Sequence, residues 1–160
     1  VEQLYRRHVQ SEIRPYVTHV PRVPLAVAAG AFLDNGVMGV QEAEAWEEVE
    51  GRKLTSRDFA ARIHGRSMEP EIPDGSVCLF RLGVACSREG RLVLVRETRR
   101  QDEGAFTVKR YRSSKKRNPD GSWSHETIRL EPLNPEFDAF ELAPEEDRYQ
   151  VLAEFLEVLY

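Results

Sequence analysis

Ile63-His64-Gly65-Arg66-Ser67-Met68-Glu69-Pro70-Glu71-Ile72-Pro73-Asp74-Gly75 is the most informative stretch of the chain. It places a serine directly after Gly-Arg at what reads as a strand end, and Pro73-Asp74-Gly75 then turns the chain. A hydroxyl at such a bend projects beside backbone N–H groups that can face an incoming carbonyl, the geometry acyl transfer requires. Working outward, Val77–Arg81, Arg91–Glu97, Ala105–Arg112 and Thr127–Leu133 are short runs rich in β-formers, punctuated by Glu103-Gly104 and Asn118-Pro119-Asp120-Gly121. The pattern predicts a mainly β domain of meanders and hairpins. The last segment is open: Leu152, Phe155, Leu156 and Leu159 suit a helix, and Gln150–Tyr160 equally suits a closing strand.

On the N-terminal side, Leu4, Tyr5, His8 and Val9 have helical spacing, so residues 1–14 read as a short helix or linker. Pro15, Pro21 and Pro24 space out Val17, Val20 and Val23, which predicts an extended arm because proline forbids a continuous helix and biases its predecessor to extended backbone. The arm runs into Leu25–Phe32, mostly small and apolar, and then into the turn signal Asp34-Asn35-Gly36. An acidic segment follows over Gln41–Glu50. The division expected is a helix or linker over residues 1–22 and one domain over residues 23–160. Because the first residue is Val rather than Met, the sequence reads as a piece of a longer protein with an upstream module.

The chain has 160 residues, 41% hydrophobic and 31% charged, with a formal charge of -4, the composition of a soluble globular domain able to bury a core of its own. Disulfide-scaffold and collagen-like classes are excluded. No apolar run is long enough for a membrane span and no basic-then-apolar leader opens the sequence, so a cytoplasmic protein without membrane contact is expected. Cys78 and Cys86 have neither a zinc spacing nor a disulfide framework, and no metal or other cofactor is expected. Lys109, Arg110, Arg112, Lys115, Lys116 and Arg117 form a basic run that reads as a solvated hairpin tip or as a nucleic-acid contact. No helix-turn-helix signature or aromatic-basic RNA motif accompanies it, so DNA reading would need the upstream module.

A serine needs a base to take its proton. His64 is close in sequence, but on a strand residues 64 and 67 point to opposite faces. His8, His19 and His125 have no supporting context.

A base is supplied by resemblance. Gly65-Arg66-Ser67-Met68-Glu69-Pro70 with Ile72-Pro73-Asp74-Gly75 resembles the nucleophile segment of the LexA-type self-cleaving serine peptidases, the family that includes UmuD and the lambda-type phage repressors. Phe106-Thr107-Val108-Lys109-Arg110-Tyr111 resembles the strand carrying that family's catalytic lysine, and Val27-Ala28-Ala29-Gly30 its Ala-Gly cleavage site. Leu130-Glu131-Pro132-Leu133-Asn134-Pro135 resembles the strand and turn after the lysine. The motifs come in the family's order. Arg66 departs from the family's usual Asp, small or apolar residue, Ser76 from its common acidic residue, and the stretch Arg112–His125 looks long and basic for its hairpin loop.

The resemblance implies a LexA/signal-peptidase-like β fold and a Ser67–Lys109 dyad, with the backbone N–H groups of Arg66 and Ser67 as oxyanion hole, Ala29–Gly30 as scissile bond, and Met68 and Val108 as packing beside the site. Burial must keep Lys109 neutral for it to accept a proton. The short tether between Gly30 and Ser67 favours intramolecular attack. The resemblance further implies a homodimer, a RecA–DNA filament as coprotease, and a stress or SOS-type role in which cleavage separates or inactivates an upstream DNA-binding or regulatory module. The other functional class is a non-cleaving dimerisation or sensor module of the same fold, attached to a repressor, a helicase or a defence protein.

Overall fold

The computed structural model describes residues 12–34 and 40–160. Among them, nine strands make one mixed sheet: β1 (His19–Arg22), β2 (Ala45–Glu48), β3 (Asp58–Arg62), β4 (Val77–Leu82), β5 (Leu92–Glu97), β6 (Phe106–Arg117), β7 (Trp123–Glu131), β8 (Phe140–Leu142) and β9 (Tyr149–Val158), in the order β2-β1-β3-β4-β9-β5-β6-β7-β8. Only the β1–β3 contact is parallel; every other neighbouring pair is antiparallel. The fold is mainly β, as the alternation of β-rich runs and turns predicts. Among the described residues one α-helix, α1 (Leu25–Leu33), packs against the sheet.

The central strands are buried on both faces. Phe59 and Ala61 of β3, Cys78 and Phe80 of β4 and Leu94 of β5 point into the main core with α1, Met68, Ile72 and Val108. Their alternates face two satellite clusters, Ala60, Val77 and Leu79 in one and Val93 and Val95 in the other. A strand covered on both sides reads as a continuous apolar run, which is why Val77–Leu82 and Leu92–Val95 show little alternation. The ambiguous C-terminal segment is a strand, because it fills the slot between β4 and β5. Ala153 pairs with Leu82 on one side and Leu94 on the other.

Two expectations need correction. The proline-spaced stretch is extended, as β1 paired with both β2 and β3, but Leu25–Phe32, into which it runs, is helical. Leu25, Ala28 and Ala29 fall at helical spacing and bury one face, alanine has the highest helix propensity, and the Pro24 carbonyl accepts from the N–H groups of Val27 and Ala28. The stretch Arg112–His125 is not a long loop. Strand pairing continues out to Arg117–Trp123, and only residues 118–122 turn, closed by Asn118 N–H to Ser122 O at 2.7 Å. Polar side chains hid these strands, since ladder hydrogen bonds use the backbone alone. The helix or linker read over residues 1–14 lies almost wholly outside the described residues, and so do Asn35 and Gly36 of the turn after α1.

Candidate active site

The nucleophile segment is a closed loop between β3 and β4. Ile63 N–H donates to Ser76 O at 2.8 Å and Gly75 N–H to Ile63 O at 2.8 Å, which pins its two ends together. Inside it the Asp74 carboxylate accepts from Gly65 N–H at 2.8 Å, and the Glu69 carboxylate from Asp74 N–H at 3.2 Å and Arg66 Nε at 3.0 Å. Arg66 is thus one half of a surface ion pair that braces the turn. Gly65 has φ 107°, a backbone region that side chains disfavour, so the residue two before Ser67 is glycine for a steric reason.

Lys109 comes from the first third of β6, paired with Val93 of β5, and is 4% exposed. Its Nζ lies 2.6 Å from Ser67 Oγ, 2.8 Å from Thr107 Oγ1 and 3.3 Å from Val108 O. Burial pushes the ammonium down from its ordinary 10.5 to about 8. At pH 7 about a tenth of the side chain is then neutral, some three-hundredfold more than for a solvated lysine. A neutral amine has two N–H donors and one lone pair. Val108 O and Thr107 Oγ1 can accept the two donors, which leaves the lone pair facing the Ser67 hydroxyl.

The turn also fixes the backbone around the serine. Asn134, 7% exposed, donates from Nδ2 to Arg66 O at 2.9 Å and from its own N–H to Ser67 O at 3.0 Å. In a trans peptide the N–H points opposite the carbonyl, so holding Arg66 O directs the Ser67 N–H to the other side. Among the described residues the N–H groups of Arg66 and Ser67 donate to no acceptor. Met68 is buried, and its Sδ accepts from Leu133 N–H at 3.4 Å; Val108 is buried in the main core. Above the dyad opens a cleft of about 400 Å³ walled by Phe106, Phe137, Phe140 and Tyr149, with Phe140 stacked on Tyr149 at 5.5 Å.

Ala29 and Gly30 are not brought to Ser67. They lie within α1, Ala29 only 3% exposed, and they line a separate cavity of about 190 Å³ that shares Arg100, Ala105 and Phe106 with the cleft. Among the described residues, other titratable side chains are not joined to Ser67. No described histidine hydrogen-bonds to Ser67: the His19 ring meets Thr18 at 2.7 Å, while His64 lines the cleft. Burial pushes the Cys78 thiol up to about 12, which leaves it without thiolate character.

Sequence reasoning passed over Thr107 and Asn134. Thr107 was legible in part, since residues two apart on a strand share a face. Asn134 comes from a remote segment, and nothing local marks it. Replacing Asn134 with alanine is expected to slow Ser67 acylation by roughly tenfold to a hundredfold, because a misplaced nucleophile loses its alignment. The pH midpoint of labelling by a fluorophosphonate should stay near 8, since the environment of Lys109 is untouched. A shifted midpoint would instead place Asn134 in the electrostatics of the lysine.

The comparison with curated proteins finds no match. The model of the Peptidase S24-like family, a family of serine peptidases, matches residues 23–156, from the end of β1 through most of β9, and so takes in the serine turn, the lysine strand and the Asn134 segment together. With that span of the fold matched, the chain belongs to the Peptidase S24-like family.

Proposed function

We propose that this domain is a Ser–Lys dyad peptidase whose own Ala29–Gly30 bond is its substrate once α1 unwinds. The observation that carries the reading is the buried Lys109 Nζ 2.6 Å from Ser67 Oγ. Ser67 gives its proton to neutral Lys109 as Oγ attacks the carbonyl carbon of Ala29, and the Arg66 and Ser67 N–H groups take the negative charge of the oxyanion. Collapse breaks the C–N bond, and Lys109 returns the proton to the leaving amine of Gly30. Water, deprotonated by Lys109, then hydrolyses the ester left on Ser67. No metal takes part in this sequence.

The helix sets the rate. Peptidases of this kind need a carbonyl free of helical hydrogen bonds, and Ala29 is held in a helix with its neighbour Ala28 in the core. The observed rate is the intrinsic rate multiplied by the fraction of time α1 is undone and docked. An activator, such as the RecA–DNA filament the resemblance implies, would act by selecting that docked state, and cleavage would release an upstream regulatory module in a stress response. The homodimer is part of the same proposal. The buried helix also favours a second reading, a non-cleaving sensor or dimerisation module.

The test is mass spectrometry after incubation at pH 9, where Lys109 is mostly neutral. Fragments 1–29 and 30–160 are expected. An intact chain whose Ser67 still reacts with a fluorophosphonate would favour the second reading, and a cut elsewhere would overturn the scissile bond. Two solvent-facing positions of α1 sharpen the test. Gly30→Ala adds a Cβ with nothing within 4 Å and gains about 1 kcal/mol of helix propensity, so it should slow cleavage about fivefold. Ala26→Gly removes as much and should speed it about fivefold, and the double variant should return near the parent rate. Equal rates across the set would remove the helix from the rate-limiting step.

A further inference from the structure

The outer half of the β6–β7 hairpin carries side chains that the peptidase chemistry does not use. Lys115, Lys116 and Arg117 are exposed, and Trp123, opposite Arg117 in register, is 65% exposed with the Arg117 guanidinium 6.0 Å from its ring centroid. Farther in, Arg112 is neutralised by Glu131 at 3.1 Å and Glu89 at 3.5 Å. No ion pair to a described carboxylate engages Lys115, Lys116 or Arg117. Asp120, in the turn, is occupied by the N–H and hydroxyl of Ser122 at 2.9 and 2.6 Å.

These groups are ordered along one face. Tyr111, Ser113, Lys115 and Arg117 alternate along β6, and the register shift in the hairpin places its extra residue on β7, leaving that alternation intact. A concavity of about 680 Å³ on this face is lined by Ser87, Arg88, Glu89, Tyr111, Ser113 and Lys115, with Arg88 over the Tyr111 ring at 5.9 Å and the Glu89 carboxylate already taken up by Ser113 N–H at 2.7 Å and by Arg112. A basic track therefore runs from Arg88 past Lys115 to an exposed indole. Arg117 lies about 26 Å along the strand from Lys109, well away from the cleft.

We propose that this hairpin face binds single-stranded nucleic acid, with phosphates along Arg88, Lys115 and Arg117 and an unpaired base stacked on Trp123. The indole decides the class of partner. Cations alone would serve a duplex or an acidic polypeptide, but a flat exposed ring beside them fits a base whose π-face is free. The whole chain carries a charge of -4, so attraction is confined to the track and depends on its three cations.

The experiment is anisotropy of a labelled oligothymidylate of about 20 nucleotides titrated with the full chain at about 50 mM salt and above. Saturable binding is expected. Trp123→Ala should weaken it about tenfold, the loss of one stacked base. Lys115→Ala with Arg117→Ala should reduce the salt slope by about 1.4, since each phosphate contact on a single strand contributes about 0.7. A blunt duplex of the same length and polyglutamate should bind more weakly. Unchanged melting temperatures would show that the variants fold. In a Trp46→Phe background, quenching on binding would report Trp123 directly. Absence of saturable binding, Trp123→Ala binding like the parent, or polyglutamate binding as tightly as the oligonucleotide would each overturn the proposal.

Discussion

Ser67→Ala and Lys109→Ala should each lower the rate of self-cleavage by at least roughly a thousandfold, and the double variant should be no slower than either. In the proposed mechanism Oγ and Nζ, 2.6 Å apart, act as one unit: a nucleophile without its base and a base without its nucleophile are equally idle. The parent rate should rise about tenfold between pH 7 and 9, following the neutral fraction of a lysine titrating at about 8. Fluorophosphonate labelling separates the roles, since Ser67→Ala removes the acceptor atom and Lys109→Ala removes only its activation, part of which hydroxide restores at high pH. Cleavage by the Ser67→Ala chain at the same bond and rate would show that another nucleophile operates.

Lys109→Met should make the protein more stable while abolishing activity. Burial lowers the Lys109 pKa from 10.5 in the unfolded chain to about 8 in the folded one. Below pH 8 both states are protonated, and the folded state carries the full penalty of a buried ammonium. Between about 8 and 10.5 the unfolded chain binds the extra proton, so the parent gains stability as pH rises, and above 10.5 the penalty is gone. The size of the shift corresponds to about 3 kcal/mol. A methionine of similar length fills the space without charge, while Ser67 and Thr107, both half-buried, can turn to water. The variant should therefore melt higher than the parent at pH 7, by an amount that shrinks through pH 8 to 10.5. A difference independent of pH would mean that packing, rather than charge burial, separates the two.

This penalty explains how a lysine becomes legible as a base only in part. On the sequence, Lys109 opens a run of six basic residues, and nothing in that run distinguishes it from Lys115 or Lys116. Its place after Phe106-Thr107-Val108 made the strand visible, and the matched family motifs made it a candidate. Its burial to 4%, and hence its chemistry at neutral pH, comes from β5 and from the serine turn, which approach from distant parts of the chain.

Local sequence alone determined what short-range physics governs. The turn at Pro73-Asp74-Gly75, the glycine at positive φ before the nucleophile, and most of β4 to β7 follow from turn chemistry and β-propensity within a few residues. Where two periodicities competed, only tertiary structure decided. The closing segment is a strand over Tyr149–Val158 because β4 and β5 leave a gap with unpaired backbone on both sides, and Leu25–Leu33 is a helix because the main core accepts Ala28 and Ala29 side by side. The same docking holds Ala29–Gly30 within α1 and away from Ser67. Asn134 and the Lys109–Ser67 contact likewise belong to the assembled molecule, since each joins residues 42 or more apart, a separation across which no local propensity acts.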